Sequence, residues 1–213
     1  MSLTVCEIFK SIQGESSYAG WPCAFVRLNG CNLHCRYCDT TYARTSGTQM
    51  DVPDIVRQLL SLSTRIVEIT GGEPLLQSET PLLAKKLLEA GRLVLVETNG
   101  SLDISVLPEP IIRIMDLKCP SSGESSQNRW QNIDVLRPCD EIKFVIADRA
   151  DYEWARDVLK RRLKGLQNTV LFSPVHGELA PSTLAEWILK DNLNVRMQLQ
   201  LHKYIWPCAT RGV

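Results

Sequence analysis

The chain has 213 residues, 44% hydrophobic and 23% charged, with 24 Lys+Arg against 24 Asp+Glu. That composition excludes a disordered chain, and the lack of a basic surplus excludes a protein that grips nucleic acid through its phosphates. No apolar run approaches the ~18 residues of a membrane span, and Met1–Ser11 lacks the basic-then-apolar layout of a signal peptide.

The expectation is one domain over residues 1–213, working in the cytoplasm without membrane or nucleic-acid partners. In chain order, short runs rich in Val, Ile, Leu and Phe fall at 23–29, 66–70, 93–98, 111–117, 141–147, 169–173 and 195–200. Such runs predict strands buried in a parallel sheet. Helical spacing lies between them. In 54–62, Ile55, Val56, Leu59 and Leu60 share a face; 79–90 is capped by Ser78 and closed by Gly91. Asp148 opens 149–164 and Ser182 opens 183–191, with Trp154 and Trp187 as packing residues. Strand–helix alternation with short loops means βαβ units joined by right-handed crossovers.

The expected fold is therefore α/β, an incomplete, laterally open (β/α) barrel with a mostly parallel sheet of six or seven strands. A closed barrel would need about 250 residues. A doubly wound sheet is the alternative, weakened because no G-x-G-x-x-G follows any strand. In either architecture the site forms at the carboxyl ends of the strands.

Eight cysteines are too few for a disulfide scaffold, and three of them, Cys31, Cys35 and Cys38, fall within eight residues after the first run. In a reducing compartment such a clump reads as metal binding or catalysis. Three thiolates can hold a four-iron cluster with one iron open to a ligand. A closed zinc site needs a fourth ligand, for which His34 or Cys23 is available in sequence. Cys6, Cys23, Cys119, Cys139 and Cys208 otherwise read as ordinary thiols. The second run ends in Thr70-Gly71-Gly72-Glu73-Pro74, where glycines let backbone approach a ligand closely. Glu97-Thr98-Asn99-Gly100 at the third strand end either lines the same cleft or is a plain turn.

Cys31-x-x-x-Cys35-x-Tyr37-Cys38 and the GGEP segment together resemble the radical S-adenosylmethionine (SAM) superfamily. The segment Glu7–Ser16 with Gly20, Ala24–Leu28, Cys38-Asp39-Thr40 and Leu199–Lys203 is similar to the 7-carboxy-7-deazaguanine synthase family within it. The resemblance implies a lyase of queuosine and other 7-deazapurine biosynthesis. It would contract the ring of 6-carboxy-5,6,7,8-tetrahydropterin with loss of ammonia, using a 4Fe-4S cluster, SAM and Mg²⁺. The cofactor pair would furnish a 5′-deoxyadenosyl radical that abstracts hydrogen from C6 of the pterin. It further implies a homodimer served by an electron donor such as flavodoxin or ferredoxin.

Residue by residue, the resemblance implies cluster ligation by Cys31, Cys35 and Cys38, and a magnesium contact by Thr40. The pterin would meet Ile12, Gln13, Gly14, Glu15, Arg27 and Thr70. Arg27 would present a bidentate fork to the substrate carboxylate, unless a neighbouring acid takes it. SAM would meet Tyr37, Cys38, Asp39, Gly72, Glu73, Asp116, Leu117, Lys118, Ser173, Pro174, Val175 and His176, with Glu73 accepting from its ammonium. A zinc-binding structural module, or a radical activase acting on a partner enzyme, are the other readings.

Overall fold

The computed structural model describes residues 1–206 and 211–212, so Cys208 lies outside the described residues. Its nine strands are β1 (Ser2–Ile12), β2 (Pro22–Leu28), β3 (Thr48–Asp51), β4 (Ile66–Gly71), β5 (Leu93–Thr98), β6 (Ile112–Asp116), β7 (Glu141–Ile146), β8 (Thr169–Pro174) and β9 (Arg196–Met197). They form one open sheet in the order β3-β1-β2-β4-β5-β6-β7-β8-β9. From β2 through β9 every neighbouring pair is parallel. These seven are the strands expected from the apolar runs. The two additional strands, β1 and β3, pair antiparallel at one edge. Half-buried strands mix polar and apolar residues and leave no continuous apolar run to read.

Among the described residues, four α-helices lie in crossovers between parallel strands: α1 (Val52–Ser61), α2 (Thr80–Glu89), α3 (Arg149–Arg161) and α4 (Pro181–Lys190). The β5–β6 and β6–β7 crossovers hold only 3-10 turns, and the short α5 (His202–Ile205) follows β9. Asp148 caps α3 as expected, its side chain accepting from the Asp151 N–H. The other two caps differ from expectation. Glu79 and Ala180, not Ser78 and Ser182, occupy the N-cap positions of α2 and α4. In both helices a proline stands in the first turn, and its fixed φ starts the helix without a side-chain cap. No helix of the described residues is long and apolar enough to cross a membrane.

The two-residue period of the strands sorts their side chains into two faces. One face carries Ala24, Val26, Leu28, Val67, Ile69, Val94 and Val96, which pack with Ile55 and Leu59 of α1 and Leu83 and Leu87 of α2. Farther along the sheet, Ile142, Phe144, Ile146, Val170 and Phe172 pack with Tyr152 and Ala155 of α3 and Leu184 and Ile188 of α4, joined by Trp154 and Trp187. Burying such a side chain contributes roughly 1.5–3 kcal/mol, so this outer layer supplies most of the fold's stability. The opposite face starts apolar at the amino ends, with Phe25, Ile66, Leu95, Ile112 and Ile114. Two residues farther along, the same face turns polar: Arg27, Glu68 and Thr70, Glu97, Asp116 and Lys143. Register places Arg27 beside Thr70 and Asp116 beside Lys143.

Candidate active site

Those polar residues line one cavity of about 630 Å³ at the carboxyl ends of the strands. The cysteine loop leaves β2 there, and Cys31, Cys35 and Cys38 are free, partly exposed thiols that all face the cavity. The loop is tied down from three sides. Glu73 N–H donates to the Gly30 carbonyl (2.8 Å), Arg36 N–H to the Ser122 carbonyl (3.0 Å), and the Tyr37 hydroxyl to the Val145 carbonyl (3.1 Å). The Cys31 sulfur accepts from the Leu33 N–H at 3.4 Å and the Asn99 Nδ2 at 3.9 Å, contacts that stabilise a thiolate and tune any cluster on it. Burial is the main influence raising the Cys35 thiol, with the neighbouring Cys38 and Cys31 adding to it.

Cys23 lies near the amino end of β2, about 16 Å below its last residue at ~3.3 Å per residue, and is fully buried. His34 is exposed and does not line the cavity. No three His, Cys, Asp or Glu side chains among the described residues close on a single metal ion. A zinc site built from this loop thus has no converging fourth ligand among the described residues. A cluster takes each thiolate on a different iron, and three thiols facing one cavity suit it.

Gly71, the last residue of β4, and Gly72 both line the cavity, and close packing gives a second reason for glycine at each. A Cβ on Gly71, whose φ is +152°, would stand 2.3 Å from the Leu28 carbonyl oxygen, and one on Gly72 would stand 2.2 Å from that of Gly30. They seat β4 against β2 and the start of the cysteine loop. Glu73 is fully buried and does not line it. Its Oε1 accepts from Leu75 N–H (3.0 Å) and Thr98 Oγ1 (2.9 Å), and its Oε2 from Asn99 N–H (2.7 Å). Burial raises its pKa against these donors.

At the far end of the cavity, Arg27 donates through Nε to Glu7 Oε1 at 2.8 Å, and the Tyr42 hydroxyl donates to the same oxygen at 2.8 Å. The neighbouring acid thus engages one edge of Arg27, while the residue also lines the cavity. Gln13 Nε2 donates to Glu68, and Gln13 Oε1 accepts from the Glu15 N–H at 3.1 Å. Lys143 bonds Glu15 Oε2 at 2.8 Å and Glu97, with Asp116 Oδ2 at 3.7 Å. Lys118 pairs with Asp116 Oδ2 at 2.8 Å. Burial would lift the Glu15 carboxyl, but Lys143, with His202 behind it, holds it down at about 2. Glu68, which has no cation of its own, is pushed well above the usual carboxylate range by burial and by repulsion from Glu97 and Glu15.

Of the expected pterin and metal residues, Gln13, Gly14, Glu15, Arg27, Thr70 and Thr40 line the cavity, and Ile12 does not. Of the expected SAM residues, Tyr37, Cys38, Asp39, Gly72, Asp116, Lys118, Val175 and His176 do; Glu73, Leu117, Ser173 and Pro174 do not, although Pro174 lines a smaller adjoining pocket. Asp116 Oδ1 and Ser173 Oγ, at the ends of β6 and β8, are buried with no partner among the described residues. Sequence reasoning assigned no role to Lys143, Glu68 or the 198–203 segment. That segment seals one side: Gln200 Nε2 donates to Glu15 Oε1 (3.0 Å), Lys203 pairs with Asp39 (2.6 Å), and Leu201 N–H donates to the Gly14 carbonyl (2.9 Å). A Cβ on Gly14 would stand 2.2 Å from His202 Nδ1, so only glycine fits beneath α5. The signal for Lys143 was a charge flanked by Ile142 and Phe144 inside the run EIKFVIA.

Comparison with known proteins points the same way. Residues 25–187 match the family model described as the Radical SAM superfamily. A 7-carboxy-7-deazaguanine synthase of Chlorobaculum tepidum is 49% identical over 99% of this chain and 97% of its own. One of Koribacter versatilis is 44% identical over 99% of this chain and 100% of its own. The crystal structure of QueE from Escherichia coli superposes with a TM-score of 0.73, covering 95% of each chain at 20% identity, a likeness of fold. A three-thiol loop, a polar cleft at the strand ends and full-length relatives at this identity make the chain a member of the 7-carboxy-7-deazaguanine synthase family of radical SAM enzymes.

Proposed function

We infer that the chain converts 6-carboxy-5,6,7,8-tetrahydropterin to 7-carboxy-7-deazaguanine with release of ammonia, in queuosine and related 7-deazapurine biosynthesis. The observation that carries this reading is the pairing, in one cavity, of an acceptor-rich buried end with a guanidinium. Glu15, Glu97 and the Gln13–Glu68 pair meet there, with Arg27 on the neighbouring strand. A 2-aminopyrimidinone edge offers several N–H donors, which buried carboxylates accept, while Arg27 suits the substrate carboxylate as a fork.

Cys31, Cys35 and Cys38 would hold the 4Fe-4S cluster, and their number leaves one iron for SAM. Bound together, cluster and SAM supply one-electron hydrogen-abstraction chemistry. The unpartnered Asp116 Oδ1, with Gly72, Tyr37, Lys118, Val175 and His176 around the same wall, suits the polar groups of SAM. Ser173 would position that wall from behind. Glu73 would act as a brace, holding Asn99 and Thr98 behind Cys31 rather than touching SAM. Asp39 and Thr40, hydrogen-bonded to each other at 2.9 Å, offer hard oxygen donors to Mg²⁺ beside the substrate carboxylate. The chain would act as one radical SAM domain, as a cytoplasmic homodimer reduced by a flavodoxin or ferredoxin.

The decisive experiment is anaerobic turnover of reconstituted protein with the carboxypterin, SAM and reductant. Formation of the carboxydeazapurine with matching ammonia is expected, and turnover should fall when Mg²⁺ is removed. SAM cleavage without a deazapurine product would overturn the substrate assignment.

A further inference from the structure

Lys143 is a charged residue in mid-strand, with 4% of its side chain exposed. Its ammonium touches carboxylates from three other elements: Glu15 after β1, Glu97 on β5 and Asp116 on β6. Burying an ammonium costs several kcal/mol unless such partners surround it, so a plain packing role would be better served by an apolar residue. Glu15 and Glu97 sit at the end assigned above to the heterocycle. Asp116, with Lys118, sits at the end assigned to SAM.

The charged groups around this point are Glu15, Glu68, Glu97 and Asp116, with Glu141 on the same strand, against Lys118, His202, Arg27 facing Glu97, Arg196 facing Glu141, and Lys143 itself. Without Lys143 the acids face each other with two fixed cations left, Lys118, already paired to Asp116, and Arg27, already paired to Glu7. Buried carboxylates in that position take up protons. A protonated carboxyl presents an O–H donor where the ligand's N–H needs an acceptor.

We propose that Lys143 is a positioning residue: its ammonium holds the Glu15 and Glu97 carboxylates aimed into the cavity as acceptors for the substrate's N–H groups, and fixes them relative to Asp116. This rests on the function inferred above. The test is calorimetric titration of 6-carboxy-5,6,7,8-tetrahydropterin into the reconstituted full-length chain without reductant, where no turnover occurs, from pH 5 to pH 8. Wild type should bind with nearly constant affinity. Lys143→Met should bind roughly 30-fold more weakly at pH 6, the loss typical of a truncated buried charge pair, and regain affinity as pH rises and Glu15, no longer held down by the ammonium, ionises. Lys143→Arg, which keeps the charge, should restore both affinity and the flat profile.

Wild-type affinity in Lys143→Met, or a loss equal at every pH, would overturn the proposal and leave Lys143 a structural residue. Failure of wild type to bind the carboxypterin would instead overturn the functional reading. Should Lys143→Met not fold, Lys143→Met with Glu68→Gln removes one buried acid along with the cation. It should show the same pH dependence, because Glu15 and Glu97 still repel.

Discussion

Two buried charge networks sit at opposite ends of β6 and β7, and they are finished differently. At the amino ends, Asp140 is fully buried and accepts from Arg113 N–H (3.0 Å), Arg113 Nε (2.9 Å) and Arg137 N–H (2.8 Å). Arg113 spends its remaining donors on the Ile104 and Val135 carbonyls. That network is closed, and its geometry serves the strands. At the carboxyl ends, Lys143 gathers three acids beside a cavity, Glu68 is left without a cation, and Asp116 Oδ1 is left without a partner among the described residues. Buried polar groups are ordinarily satisfied, so incomplete satisfaction marks the end where a ligand completes the network.

The largest effect that tests this contrast is at the cysteine loop. Cys35→Ala should abolish iron retention and SAM cleavage, while Cys139→Ala, at an exposed position away from the cavity, should retain both. Iron and sulfide analysis with an assay of methionine release decides it, and full SAM cleavage in Cys35→Ala would sink the ligand assignment.

Next comes the closed network itself. Asp140→Ala leaves Arg113 buried without its partner, which typically costs about 3–5 kcal/mol. Denaturant unfolding should show that loss, and a change below about 1 kcal/mol would place this network among the weak surface pairs.

At the open end the cost should appear in catalysis. Arg27→Ala removes the fork for the substrate carboxylate and should lower kcat/KM by roughly 30- to 5000-fold, for a loss of ~2–5 kcal/mol. Iron content should stay normal. Near-normal kcat/KM would mean that the Glu7 pair is the arginine's whole role.

The effect at Glu68 is set by pH, nil near its unfolded value and growing above it. Its folded pKa lies above its unfolded value, so folding takes up a proton and stability falls as pH rises above the unfolded value, with a slope of up to about 1.4 kcal/mol per pH unit. Glu68→Gln abolishes that slope. Its Tm should exceed that of wild type at pH 8 and converge on it near pH 4.5; a Tm difference independent of pH would mean that Glu68 is ionised.

The parallel strands β2 and β4 through β8 were legible because they are largely buried on both faces and read as apolar runs, whereas β9 is a partly exposed edge. The cluster ligands were legible because loop spacing survives in sequence. Lys143 and Glu68 were harder, since each makes sense only through partners 46 residues away in the Lys143–Glu97 pair and 55 in the Gln13–Glu68 pair. Gly71 and Gly72 were found for an incomplete reason. Close approach was the right inference, and the approaching groups include the carbonyls of Leu28 and Gly30.

The contact between Gly14 and the 198–203 segment has a consequence for assembly. Glu15 reaches Gln198 across 183 residues of sequence and Gln200 across 185. Loop-closure entropy grows slowly with length, about 0.6 kcal/mol per doubling, so this distance weighs little on stability. It weighs more on timing, because non-local contacts are slow to form and residue 198 leaves the ribosome long after residue 15. The outer helical layer and the parallel strands through β8 can be in place while Glu15 is still hydrated, and the segment that covers it, ending in α5, arrives after them.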